Sequence, residues 1–306
     1  MRVPITRHQA LAALATVALA PLTACATPGA AEAPAPSASP TPSASAAAAD
    51  ADFARLEEDF DARLGVYALD TGSGEAVGYR AEERFAFAST IKVALFGALL
   101  ERATPEELEK DVTITEDDLV NWNPVTEDNV GGDMSLLELG DAALRYSDNA
   151  ATNLLLEELG GPDALDAALE EIGDDVTSVD RIEPGLNEAV PGDERDTSTP
   201  RAMATTLEAF TLGDVLPEVD REILTEMMRG NTTGDDLIRA GVPDGWEVGD
   251  RTGAGGYGTR NAIAVAWPPE DDPIVVVVMS SRDQEDAEYD DALIAQATEV
   301  VVETLS

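Results

Sequence analysis

The chain has 306 residues, 44% of them hydrophobic, enough to bury the core of one large domain or two small ones. Nineteen basic side chains stand against 61 acidic ones, a formal net charge of −42. A field of that sign repels nucleic acid and anionic headgroups, which excludes both as natural partners. Lys92 and Lys110 are the only lysines. Such acid-rich, lysine-poor composition is found in proteins of salt-loving organisms, and drift in a GC-rich genome produces it too.

In chain order, Arg2 and Arg7 precede an apolar run from Ala10 to Ala20, followed by small residues. This pattern reads as a secretory signal peptide over 1–25, too short for an ordinary membrane span. It ends in Leu22-Thr23-Ala24-Cys25, which resembles the lipobox of bacterial lipoproteins. The expectation is lipidation of Cys25 and anchoring to the outer face of the cytoplasmic membrane; the alternative is cleavage near Ala24–Ala26 and secretion. Cys25 is the only cysteine, so no internal disulfide can form. Residues 26–49 are almost entirely Ala, Pro, Ser and Thr and read as a disordered, extended linker. The folded domain is expected over 50–306.

Within it, Phe53–Leu64 reads as an amphipathic helix, and Leu64–Leu69 and Ala76–Tyr79 as strands joined by a Thr71–Gly74 turn. A helix is expected to start at Ser89. Ser135 with Glu138 forms a capping box, and Ala150–Leu159 is another helix. Asp180–Thr199, rich in Pro, Gly and charge, reads as one long loop, and loops of that length in compact domains usually carry function. Trp246–Arg251, Arg260–Trp267 and Ile274–Ser281 read as strands, the last continuously apolar as a central strand is. A helix over Asp286–Leu305 ends the chain. The prediction is an α/β protein, one sheet built from both chain ends with flanking helices, plus an all-helical lobe and a cleft between.

Four short motifs carry chemistry. Ser89-Thr90-Ile91-Lys92 puts a lysine one helical turn from a serine, and a serine hydroxyl needs such a base to become a nucleophile. Tyr146-Ser147-Asp148-Asn149 precedes the Ala150 helix. Glu183-Pro184-Gly185-Leu186-Asn187 lies in the long loop, and Arg251-Thr252-Gly253 ends a strand. Singly, each has a bland reading: an N-cap, an N-cap, a solvated acidic loop, a strand end. Together, in this order, they resemble the S-x-x-K, S-D-N, E-x-x-L-N and K-T-G set of the class A β-lactamases. Asn187–Thr197 is similar to that family's omega loop almost letter for letter, and the resemblance spans about Asp50 to Ser306.

The resemblance implies an antiparallel sheet and a serine hydrolase that opens the ring of penicillin-type β-lactams. Ser89 would form the acyl-enzyme, with its proton passing to Lys92 or, through a water, to Glu183. Ser147 would relay a proton to the leaving nitrogen. Glu183 with Asn187 would activate the deacylating water. The backbone N–H groups of Ser89 and Ala254 would hold the oxyanion. Asn149 and Trp122 would contact the substrate, and Arg251, Thr252, Gly253 and Arg260 would line the carboxylate subsite. No cofactor and no metal is expected: the one histidine, His8, lies in the signal peptide. A small-molecule substrate and a monomer complete the expectation.

The chain departs from the family pattern at three places. Arg251 replaces the usual lysine, as in carbenicillin-hydrolysing members, and a guanidinium does not give up its proton. Phe96 stands where many relatives have a disulfide cysteine, and Ala262 where an acid is common. Two other readings stay open. One is a penicillin-binding D-Ala-D-Ala carboxypeptidase, against which Glu183 and Asn187 argue. The other is a β-lactam-binding sensor lipoprotein that does not turn over.

Overall fold

The computed structural model describes residues 44–305. The signal peptide, Cys25 and most of the linker lie outside the described residues.

The first helix, α1 (Ala44–Phe60), begins nine residues earlier than Phe53 and takes up the end of the segment read as linker. Ala49 is buried with Phe53 and Leu56, so this alanine-rich stretch has something to pack against. Leu64 belongs not to α1 but to β1 (Arg63–Asp70), which pairs antiparallel with β2 (Ala76–Tyr79). After the short β3 (Phe85–Ala86), Ala88–Ile91 makes a 3-10 turn. That turn leads into α2 (Lys92–Arg102). Ser89 therefore sits in a tight turn ahead of the α-helix rather than at its first residue.

The middle of the chain is helical as expected. It comprises α3 (Pro105–Leu108), α4 (Leu136–Arg145), α5 (Asn149–Leu159), α6 (Pro162–Glu171), α7 (Pro200–Thr211), α8 (Glu218–Arg229) and α9 (Ile238–Gly241). Four short strands were not foreseen. They are β4 (Asp111–Thr113) paired with β5 (Asp133–Ser135), and β6 (Thr197–Ser198) paired with β3. At two or three residues they are too short for a period-2 pattern to be read. Ser135 caps α4 and Glu138 reaches back to its N–H at 2.8 Å, the reciprocal box.

The chain end supplies β7 (Glu247–Ala254), β8 (Arg260–Trp267), β9 (Ile274–Ser281) and α10 (Asp291–Leu305). β7 runs three residues further than Arg251, so the Arg-Thr-Gly triplet lies inside the strand. α10 starts five residues after Asp286. The sheet order is β2-β1-β9-β8-β7, with every neighbour antiparallel.

Both faces of the sheet are covered. Leu64, Val66, Ala264, Val276 and Val278 meet α1 and α10 on one side. Tyr67, Ile263, Val265, Val275 and Val277 meet the helical lobe on the other. That double burial explains why β9 reads as an unbroken apolar run. Ala262 is fully buried, with its backbone paired to Thr252 and Val278, so strands on both sides hold this position without an acid.

Candidate active site

Strand alternation sets out one wall of the cleft. Arg251 and Gly253 pair with Ile263 and Asn261 and share their face, toward the Ser89 turn; Thr252 shares the other face with Ala262. A Cβ on Gly253 would stand 3.0 Å from Phe87 O and 3.1 Å from Ser89 N. Glycine is needed there because the strand passes so close to the backbone of the nucleophile. Asn261 ties the two together, its Nδ2 donating to Ala86 O at 2.8 Å and Phe87 O at 3.1 Å.

The backbone around the cleft is strained. Ala88, Trp122 and Ser147 all have φ between 48° and 62°, a region L-residues seldom adopt. Such outliers cluster where surrounding packing overrides local preference. Asp148, the middle residue of its motif, is the N-cap of α5, accepting from Ala151 N at 2.9 Å. It also accepts from Val125 N, Thr126 N and Thr126 Oγ1, so the capping residue of this motif also ties the 125–126 segment to the start of α5.

The long loop is anchored at both ends. Asp196 accepts from the backbone N–H groups of Asp180 and Arg181 and pairs with the Arg181 side chain. Asn153, which the sequence reading did not single out, brackets Glu183: it accepts from Glu183 N and donates to Glu183 O, each at 2.9 Å. It stands four residues beyond Asn149 on α5, the one spacing that could have drawn attention to it. Asn187 O accepts from Gly256 N at 2.9 Å, which joins the loop to the β7–β8 turn.

These elements bring every predicted catalytic side chain together. Lys92 Nζ donates to Asn149 Oδ1 at 2.6 Å and Ser147 O at 3.0 Å, with Ser147 Oγ at 3.3 Å. It also lies 3.2 Å from Glu183 Oε1, and both side chains are fully buried. Arg251 donates to Ser147 Oγ as well. With two cationic donors on it, Ser147 Oγ turns its own proton to Ser89 Oγ at 3.3 Å, and Ser89 Oγ donates to Glu183 Oε1 at 3.4 Å. Asn187 Nδ2 donates to the other Glu183 oxygen. Burial pushes the Lys92 ammonium down to about 8, against the pull of Glu183 in the opposite direction. Burial likewise lowers Arg251 to about 10.

A cavity of about 520 Å³ opens above this network, lined by Ser89, Trp122, Ser147, Asn149, Asn187, Thr252 and the 253–256 backbone, among others. Trp122 is a rim residue, 62% exposed, not a core tryptophan. Arg251 is absent from the lining: it lies wholly buried behind Thr252 and Ser147 and reaches the cleft through their hydroxyls. Arg260 does line it, but its Nε is engaged with Asp291 at 2.6 Å, and its guanidinium stacks over Tyr289. A similar cavity of about 490 Å³ lies near Glu57 and Arg282 and contains no nucleophile.

Comparison with known proteins agrees with this geometry. The model of the β-lactamase enzyme family matches residues 48–305. A β-lactamase of Bacillus licheniformis is 59% identical over 255 residues, covering 83% of each chain. One from Amycolatopsis lactamdurans is 57% identical over 254 residues, 83% of this chain and 84% of that protein. Among solved structures, a halotolerant bacterial β-lactamase superposes with a TM-score of 0.82 at 58% identity, over 83% of this chain and 99% of that one. A class A β-lactamase from Clostridium kluyveri gives 0.83 at 46%, over 84% and 98%. With its nucleophile, buried lysine and loop glutamate in one hydrogen-bonded cluster, the chain belongs to the β-lactamase enzyme family, as a serine β-lactamase of class A.

Proposed function

We propose that the chain hydrolyses penicillin-type β-lactams in two steps, with the roles of its residues set by the direction of their hydrogen bonds. The observation that carries this reading is the donor order Ser147 to Ser89 to Glu183. With its value near 8, Lys92 is mostly protonated at neutral pH and serves as a donor, so the proton of Ser89 goes to Glu183. Ser89 Oγ attacks the lactam carbonyl. The N–H groups of Ser89 and Ala254 take the oxyanion, each such donor being worth about 2.7–4 kcal/mol of barrier. As the C–N bond breaks, Ser147 gives its proton to the ring nitrogen and is resupplied by Lys92, which recovers a proton from Glu183. For deacylation the restored carboxylate takes a proton from water, hydroxide attacks the ester, and the proton returns to Ser89. Asn187 Oδ1, buried and without a partner among the described residues, is an acceptor suited to hold that water beside Glu183.

Thr252 and Arg260 meet the substrate carboxylate in this reading. Arg251 acts from behind, supplying positive potential that matters in a chain so negative. Trp122 and Asn149 contact the substrate side chain. Glu183→Ala should acylate more slowly than the parent and then stop: one product per enzyme and a persistent adduct by intact mass. Rapid turnover by that variant removes Glu183 from both roles, whereas acylation at the parent's rate removes it from the first step alone. We further propose export, lipid anchoring at Cys25 and a monomeric enzyme. Processing insensitive to globomycin would refute the anchor, and a dimer mass in sedimentation would refute the monomer.

A further inference from the structure

Four arginines of this acid-rich chain line one cavity away from the catalytic cluster. It measures about 290 Å³ and lies between residues 189–195 of the long loop and the ends of β1 and β9, where Arg63 pairs with Ser281. Its wall carries Arg63, Arg84, Arg195 and Arg282 against two carboxylates, Asp193 and Asp283. Arg195 is bound to Asp193, and Arg63 reaches Glu83. Arg84 and Arg282 form no ion pair among the described residues. Their guanidiniums donate to carbonyls instead, those of Val176 and Thr197 for Arg84 and those of Gly258 and Phe60 for Arg282. A carbonyl satisfies an N–H but cancels no charge. Each therefore brings to the cavity lining a positive charge that no carboxylate neutralises.

A second, independent observation falls in the same place. Thr259 lines the cavity, is 1% exposed, and its Oγ1 has no hydrogen-bond partner among the described residues. Buried hydroxyls are seldom left so. A tetrahedral oxyanion supplies both missing parts, negative charge for the guanidinium forks and acceptors for the hydroxyl. At about 30 Å³ per water, the cavity holds a small anion and some solvent.

We propose that this cavity is a binding site for a small inorganic oxyanion of the phosphate or sulfate class, held by Arg84 and Arg282 with Thr259 as hydroxyl donor. The site is built into the back of the catalytic loop. Thr259 exchanges hydrogen bonds with Gly255 and Gly256, both in the cleft wall, and Gly256 holds Asn187. A bound anion therefore braces the loop segment that follows Glu183 and Asn187, without touching Ser89.

The test uses the protein with its cleft blocked by a boronic acid adduct on Ser89, so that anions at the substrate subsite do not contribute. Phosphate titrated calorimetrically at constant ionic strength should show one saturable site. Arg282→Gln should weaken it about tenfold, the loss of one charge-assisted clamp, and Thr259→Val should weaken it by less. Selenate soaked into crystals should give an anomalous peak between Arg84 and Arg282. No saturable binding, affinity unchanged in both variants, or selenium confined to the substrate cleft would each overturn the site.

Discussion

In the proposed mechanism Ser89 gains its reactivity from hydrogen-bonded neighbours that lie 58 and 94 positions away in the chain, Ser147 and Glu183. Lys92 is the pivot of that group because it is both fully buried and hydrogen-bonded to two of its members' elements. Desolvation lowers its proton affinity and Glu183 partly restores it. If Lys92 must be protonated to resupply Ser147, the acylation rate should fall as pH rises through about 8. In Glu183→Gln the residual acylation limb should move to lower pH, since the carboxylate that retains the proton is gone. A stopped-flow pH profile decides this, and an unmoved limb would detach Lys92 from it. The same shift has a sign for stability. Between about 8 and the ordinary 10.5 the unfolded chain holds the proton that the folded one has lost, so this group makes the fold more stable as pH rises through that window.

Helix α2 carries the nucleophile's turn, and its packing explains two residues that motif reading treats as incidental. Phe96, at the place of a cysteine in many relatives, is fully buried, and a Cβ on Gly140 of α4 would lie 2.2 Å from its ring. The ring fills the space between α2 and α4, and the missing side chain at 140 admits it. Gly140→Ala sets two effects against each other. Helix propensity favours alanine by about 1 kcal/mol, and overpacking a closed core costs about 1–3 kcal/mol. With no solvent for the ring to move into, overpacking should win by about 1 kcal/mol, read as a lower urea midpoint with unchanged slope. Phe96→Leu in the same chain should recover part of the loss. A more stable Gly140→Ala protein would show that α2 and α4 are less tightly packed than their distances imply.

Over the whole molecule the charge dominates. The formal −42 of the chain, nearly all of whose charged groups lie in the folded domain, repels itself, and most arginines are already paired with acids at the surface. The Debye length shrinks from about 10 Å at 0.1 M salt to about 3 Å at 1 M, which screens that repulsion. The melting temperature should therefore rise between low and molar sodium chloride. A flat or falling curve would mean that the acids are already spaced widely enough to be indifferent to screening. Capture of an anionic penicillin should improve with the same salt, because the long-range repulsion from the net negative charge is screened while buried Arg251 and Arg260 act at short range; KM in low and in molar salt checks this.

The S-x-x-K pair, the loop motif with Glu183 and the long strands of the main sheet were legible because each depends on residues close in sequence. Ser89 and Lys92 sit one turn apart, Ser135 and Glu138 form a local box, and Ile274–Met279 is apolar because both its faces are covered. The start of α1 was not legible, because alanine and serine carry no amphipathic signal and only contact with Phe53 and its neighbours gives Ala49 a reason to be helical. The strands β3 to β6 are too short to have a period. The placing of Arg251 behind the cleft, the pairing of Arg260 with Asp291 and the grip of Asn153 on Glu183 each join residues from separate elements. No local pattern encodes such contacts; they exist once strand register and helix packing have brought the elements to one place.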